Sequence, residues 1–205
     1  MASDFENPMY WRKRFQSETA FEWLTPSSTF IDLLAPYLDR LDPQASEILH
    51  LGSGTSDLHN HLRRSGFLNV TNIDYEPLAL ERGQQLERKA FGDVKTRYRV
   101  ADVTKLEPPA NSEPKCRLVV DKSTADAVSC GGDEAVAAMA ERIHGCLDKK
   151  SGVWISMSYS DSRFDVGRVR ELFHVGVVST VPIPKRLESD PDIAHWCYEL
   201  SPKEA

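Results

Sequence analysis

Two glycines one residue apart, Gly52-Ser53-Gly54, follow the short apolar run Ile48 to Leu51, and Asp74 ends the next apolar run twenty positions after the second glycine. Glycines at a strand end let the backbone turn tightly and approach a ligand where a Cβ would collide. A carboxylate at this distance is what a ribose site needs, because it accepts from both ribose hydroxyls. Two ligand classes share the layout. A dinucleotide sets its pyrophosphate at the N-terminus of the following helix and asks for a third glycine there. This chain has Ser56 and Asp57 instead, and a carboxylate about 4 Å from a phosphate charge costs roughly 1 kcal/mol even in bulk water. S-adenosylmethionine has no phosphate and is cationic at its sulfonium and ammonium, so an acidic rim suits it. The weight falls on S-adenosylmethionine, with NAD as the alternative.

Further polar residues gather where apolar runs stop. After a third run, Ala101-Asp102-Val103 offers a carboxylate to accept from an adenine amino group and an apolar side chain to pack on its ring; a solvated turn is the competing reading. After a fourth, Asp121-Lys122-Ser123-Thr124-Ala125-Asp126-Ala127 is unusually polar, suited to a binding loop or to capping the next helix. His59 and His61, two apart, do not share a helix face, so no metal site is expected. Cys116, Cys130, Cys146 and Cys197 form no C-x-x-C pair, which suggests reduced thiols rather than zinc or disulfides. Cys130 has no histidine partner by spacing.

These residues need strands and helices to hold them. Ser27 and Ser28 can cap a helix carrying Phe30, Leu33, Leu34, Tyr37 and Leu38 at helical spacing. Strands are expected at Ile48 to Leu51, Val70 to Tyr75, Tyr98 to Val103, Cys116 to Val120, Val153 to Tyr159, Val175 to Val181 and His195 to Leu200. Between them lie helical patterns through Leu58 and Leu62, after Pro77 through Leu78 and Leu86, from Asp133 to Leu147, and across Phe164 to Phe173; the Pro-rich stretch Pro108 to Pro114 reads as a loop. Strands alternating with helices predict an open, doubly wound α/β fold with ligands beyond the carboxyl ends of the strands.

The chain has 205 residues, enough for one domain. With 40% hydrophobic and 27% charged residues it has a globular composition. The net charge of −6 argues against a nucleic-acid reader, though it leaves room for a local basic patch. No apolar stretch approaches the roughly 20 residues of a membrane helix. Met1 to Arg14 lacks the apolar core of a secretory signal, so the expected location is the cytoplasm, with the nucleus also open.

Several segments, taken in order, are similar to those of a known family. Tyr10-Trp11-x-x-Arg14-Phe15, Phe21-Glu22-Trp23, Ile48 to Ser56, Asn69 to Tyr75, Asp121 to Ala127 and Ile155 to Ser158 resemble the seven-β-strand lysine methyltransferases of elongation factor 1-alpha. The likeness spans about residues 9 to 200. It implies a Rossmann-like, seven-stranded class I methyltransferase sheet with the last strand antiparallel, S-adenosylmethionine as cofactor with S-adenosylhomocysteine as product, and elongation factor 1-alpha as protein substrate.

By position, the resemblance makes residues 1 to 45 a helical segment covering the cofactor, with Trp11, Phe15 and Trp23 closing over it; core packing is the other reading of these aromatics. It puts Gly52 and Gly54 against the methionine part, Asp74 and Tyr75 on ribose and adenine, Asp102 and Val103 on adenine, and Lys122 at the pocket's edge. His50 stands where many methyltransferases have an acid, Ser123 where the family has Gly and Ala125 where it has Leu. A lysine acceptor must lose a proton from an amine of ordinary pKa near 10.4, and Tyr159 and the Asp121 to Asp126 loop, Asp121 foremost, are the candidate walls of a channel that favours the neutral amine. A small-molecule acceptor, or a catalytically silent fold that binds cofactor or a partner, are the alternatives.

Overall fold

The computed structural model describes residues 5–110, 115–185 and 187–204. Helix α1 (Pro8–Ser17) is capped by the Asn7 carboxamide, which accepts from the Met9 N–H at 2.9 Å, and starts on a proline whose missing N–H would have had no partner there. Helix α2 (Ser27–Leu38) follows. Then come β1 (Ile48–Leu51), α3 (Leu58–Arg64), β2 (Val70–Asp74), α4 (Pro77–Phe91), β3 (Arg97–Val100), β4 (Leu118–Lys122), α5 (Thr124–Ser129), α6 (Asp133–Cys146), β5 (Val153–Ser158), α7 (Gly167–Leu172), β6 (Phe173–Pro182) and β7 (Ala194–Pro202).

The strands form one sheet in the order β3-β2-β1-β4-β5-β7-β6. β1 to β5 pair in parallel, and β7 runs antiparallel to both β5 and β6. This is the doubly wound, seven-stranded α/β arrangement with its last strand antiparallel that the sequence leads one to expect.

Period-two alternation sends side chains to opposite faces. Leu49, Leu51 and Val119 pack with Val136, Met139 and Ile143 of α6, while Ile48, Leu118 and Val120 pack with Phe30 and Leu34 of α2 and Leu58 and Leu62 of α3. Burial on both faces explains why β1 and β4 are buried at every residue.

Some local expectations change. The N-cap of α2 is Pro26 and no side chain caps it; the Ser27 hydroxyl is drawn to Glu22 and Ser56 instead. β3 stops at Val100, and Asp102 turns its carboxylate back onto the Thr104 N–H (2.9 Å) and hydroxyl (2.7 Å), starting a 3-10 turn over Val103–Lys105. β4 begins two residues later than expected, because Cys116 pairs in an isolated bridge with Leu147.

The buried stripe of α4 is Ala79, Leu80, Gly83 and Glu87 rather than Leu78 and Leu86. An acid occupies that core position because Arg63, the Lys95 and Thr96 N–H groups, the Thr96 hydroxyl and the Tyr98 hydroxyl all meet its carboxylate. The helix foreseen across Phe164 to Phe173 shrinks to α7, with Phe164 buried before it and Phe173 opening β6. Of the Pro108 to Pro114 loop, residues 111–114 lie outside the described residues. Cys116, Cys146 and Cys197 are buried free thiols and Cys130 is exposed. Among the described residues no helix is long and apolar enough to cross a membrane, and no group of His, Cys, Asp and Glu could hold a metal.

Candidate functional site

The strand order reverses between β1 and β4, and a hollow of about 380 Å³ opens at the carboxyl ends of β1, β2 and β4. Its floor is the turn after β1. Gly52 (φ 53°) and Gly54 (φ 49°) both lie in the left-handed region, and a Cβ on Gly52 would collide with the Thr124 side chain. The close approach has a purpose in the packing: the Thr124 hydroxyl donates to the Leu51 carbonyl at 2.9 Å and ties the tip of β4 to that of β1.

Asp74, at the end of β2, accepts from the Gly54 N–H at 2.9 Å and the Glu76 N–H at 3.0 Å. Burial pushes its carboxyl up to about 6, against the pull of those two donors. Tyr75 is exposed at the rim, and Asp102 and Val103 line the hollow from the turn after β3. His50 lines it from β1, with Nδ1 3.0 Å from the Asn72 carboxamide oxygen. Burial brings the imidazole down to about 4, so His50 is neutral at pH 7 and supplies no charge.

The N-terminal segment forms the remaining wall. Trp11 and Phe15 stack with centroids 5.7 Å apart, Trp23 meets Trp11 at 5.9 Å, and all three line the hollow with Phe5 and Phe21. The Arg14 guanidinium lies over Trp23 (4.6 Å) and Phe21 (5.0 Å), so these ring faces already accept a cation.

Glu22 fastens this strap to the sheet. Its carboxylate accepts from the Ser27 hydroxyl (2.8 Å), the Ser56 hydroxyl (3.1 Å), the Asp57 N–H (3.1 Å) and the Lys122 ammonium, which also donates to the Thr25 carbonyl at 2.8 Å. Burial alone would raise the Glu22 carboxyl, but Lys122 and the other donors outweigh it and hold the group ionised; burial in turn lowers Lys122. One consequence concerns ligands. The backbone N–H ahead of α3, where a dinucleotide would set its pyrophosphate, is occupied by the chain's own carboxylate.

Trp11, Phe15, Trp23, Gly52, Gly54, Asp74, Tyr75, Asp102, Val103 and Lys122 thus come together around one hollow, whereas Asp121 and Tyr159 lie outside its lining. Asp121 is fully buried, accepting from Trp154 Nε1 (2.7 Å) and the Ala125 N–H (3.1 Å), with burial pushing its carboxyl up to about 6. It supports the β4 tip from below. Tyr159 is exposed and gives its N–H to Asp126 (2.9 Å). The acid that faces the hollow from this loop is Asp126, which also accepts from Ser158 (2.5 Å) and Arg163 (2.8 Å). Thr124 and Asp126 belong to the polar loop read from sequence as a binding loop, whereas Glu22 has no individual role assigned from sequence alone. The one signal for Glu22 is an acid set between two aromatics in a segment expected to cover the ligand.

No family model matches the chain. It is 55% identical over 201 residues to "Methyltransferase srdJ" of Neurospora crassa, covering 98% of this chain and 85% of that protein. It is 31% identical over 144 residues to "EEF1A lysine methyltransferase 4" of Bos taurus, covering 68% of this chain and about half (52%) of that longer protein. Among solved structures, magnesium protoporphyrin IX methyltransferase from Synechocystis PCC 6803 with bound SAM superposes with a TM-score of 0.63 at 12% identity over 98% of each chain.

Proposed function

The chain belongs to the class I methyltransferases, and from that premise we propose that its hollow takes S-adenosylmethionine and that the methyl acceptor is a lysine of a protein resembling elongation factor 1-alpha. The observation that carries the cofactor is the donor set. Asp74 presents a buried carboxylate for ribose hydroxyls, two glycines leave the backbone bare, and the place for a phosphate is filled by Glu22. The residues fit a ligand that is cationic and free of phosphate, and the NAD alternative fits them poorly.

S-adenosylmethionine bound there supplies a methyl group on a sulfonium, a good leaving group, so the chain's task is alignment, worth several kcal/mol of barrier. Trp11, Phe15 and Trp23 cover the hollow and exclude water. Gly52 and Gly54 let the methionine portion lie against the β1 turn, and Asp102 and Val103 take the adenine. Lys122 holds the strap closed through Glu22 and completes the wall beside Ser123.

The acceptor enters between the strap aromatics and Asp126. The aromatic wall of the hollow suits the apolar stem of a lysine, and partial desolvation there favours the neutral amine that attacks. A small-molecule acceptor is the second reading. It is favoured by the extent of the lysine methyltransferase likeness, which reaches only 68% of this chain, whereas the 55% identical methyltransferase matches nearly all of it.

Incubation with methyl-labelled S-adenosylmethionine and a lysate of cells lacking this protein separates the two. Label in a protein band that resolves to methyl-lysine is the expected result. Label confined to small metabolites overturns the lysine assignment and leaves the cofactor reading standing.

A further inference from the structure

A second cavity, about 330 Å³, lies at the opposite edge of the sheet, between the end of α2, the start of β4, the turn before β5 and the end of β7. Its volume falls in the small-molecule range of roughly 300–1,000 Å³. In a chain of net charge −6 its wall is basic: Arg40, Arg117 and Lys150 line it, and none of the three has an acidic partner among the described residues. Lys149 also lines it, but its ammonium is turned to the His144 carbonyl and imidazole. Glu199 is the one acid of the lining, and its carboxylate is taken up by the Tyr37 hydroxyl (2.5 Å) and the Ser201 hydroxyl (3.2 Å). Asp148 stands near enough to feel Arg117, yet its Oδ1 is already shared by the Ser151 hydroxyl and the Lys150 and Ser151 N–H groups.

Arg117 carries the second observation. Its Nε is buried from water and has no acceptor among the described residues. Buried guanidinium donors are almost always met, and the cleft that Arg117 lines has room for an acceptor from outside the chain.

We propose that this cleft is a second ligand site, taking the phosphoryl group of a small phosphorylated molecule with Arg117 as its principal ligand. Four cations, Lys149 included, against the carboxylates of Glu199 and the neighbouring Asp148 leave two positive charges, which match a phosphate monoester, about −1.5 to −2 at pH 7. A planar guanidinium suits two phosphate oxygens at once, and the half-buried Tyr37 ring gives the remainder of the ligand an apolar wall. The site shares no lining residue with the hollow, so it stands or falls independently of the cofactor.

Calorimetry on the full chain would use inorganic phosphate and adenosine monophosphate as probes, with adenosine and chloride at equal ionic strength as controls. Variants are Arg117→Gln, the pair Arg40→Gln/Lys150→Gln, and Arg88→Gln on the exposed side of α4 as a charge control, each checked for an unchanged unfolding midpoint. The expected result is saturable binding of a phosphate-bearing probe that weakens roughly tenfold or more in the first two variants and is retained in the third. Tighter binding of the nucleotide than of phosphate supports a nucleotide as the ligand, and equal binding supports the phosphoryl group alone. Absence of saturable binding by either probe, equal loss in Arg88→Gln, or binding unaltered by Arg117→Gln would overturn the proposal.

Discussion

The two edges of the sheet carry opposite chemistry. At the carboxyl edge, turns after parallel strands expose backbone N–H groups, and the chain answers them with its own acids: Glu22 on Asp57, Asp74 on Gly54 and Glu76, and Asp121 on Ala125. At the amino edge the chain arrives from helix C-termini with open carbonyls, and it answers them with cations. Lys149 reaches the His144 carbonyl, Lys115 the Gly145 carbonyl (3.4 Å) and Lys203 the Arg170 carbonyl (2.5 Å). Each edge is charged to complement its helix ends. The acidic edge adds a wall of aromatics and becomes a hollow for a cation. The basic edge has cations to spare and becomes a cleft for an anion. Fold direction alone would suit an anion at the carboxyl edge; it is the chain's own Glu22, taking the Asp57 N–H, that turns this edge toward a cation.

The largest expected effect breaks the acidic edge at its floor. Gly52→Ala forces a side chain into a left-handed φ and into Thr124, and should cost about 3 kcal/mol. Thermal unfolding should show a fall of roughly 10 °C; a change of a degree or two would mean that the turn relaxes freely. Next is Glu22→Ala. It strands the Lys122 ammonium, but Glu22 is itself 28% exposed, so about 2 kcal/mol is expected, below the full cost of breaking a buried pair. Limited proteolysis should then cut residues 5–25 faster while leaving β5 to β7 protected.

A third test uses pH. The Asp74 carboxyl is raised to about 6 in the free protein, so it is ionised above that pH and protonated below it. Affinity for S-adenosylmethionine should be flat above about pH 6 and fall up to tenfold per unit below it, with Asp74→Asn removing that dependence. The smallest effect belongs to Tyr159→Phe, whose ring is exposed and outside the hollow. Cofactor affinity should stay within about twofold of the parent, and a larger loss would redraw the boundary of the site.

The strand ends were legible because they obey local rules: Gly52, Gly54 and Asp74 are set by backbone space and a fixed spacing, and buried parallel strands read as apolar runs. What stayed hidden depended on contacts between distant segments. Glu22 meets Lys122 one hundred positions away, and nothing near either residue announces the other. The same holds for Glu87, an acid on a helix face that periodicity assigns to leucines, made tolerable by Arg63 and by the turn at Thr96. Asp121 shows the converse. A carboxylate at a strand end reads as a site residue, but one residue of register turns it down onto Trp154 and leaves Asp126, on the helix behind it, to face the hollow.

The central claim is that the acidic edge binds S-adenosylmethionine through Asp74 beneath a closed strap. Calorimetric titration of S-adenosylmethionine, S-adenosylhomocysteine and NAD into the protein and its Asp74→Asn variant tests it most directly. The account predicts one-to-one binding of the first two, no binding of NAD, and a loss of roughly tenfold or more in the variant, from charge-assisted hydrogen bonds of about 1.5–3 kcal/mol. NAD binding in place of S-adenosylmethionine, or equal affinity in Asp74→Asn, would contradict it.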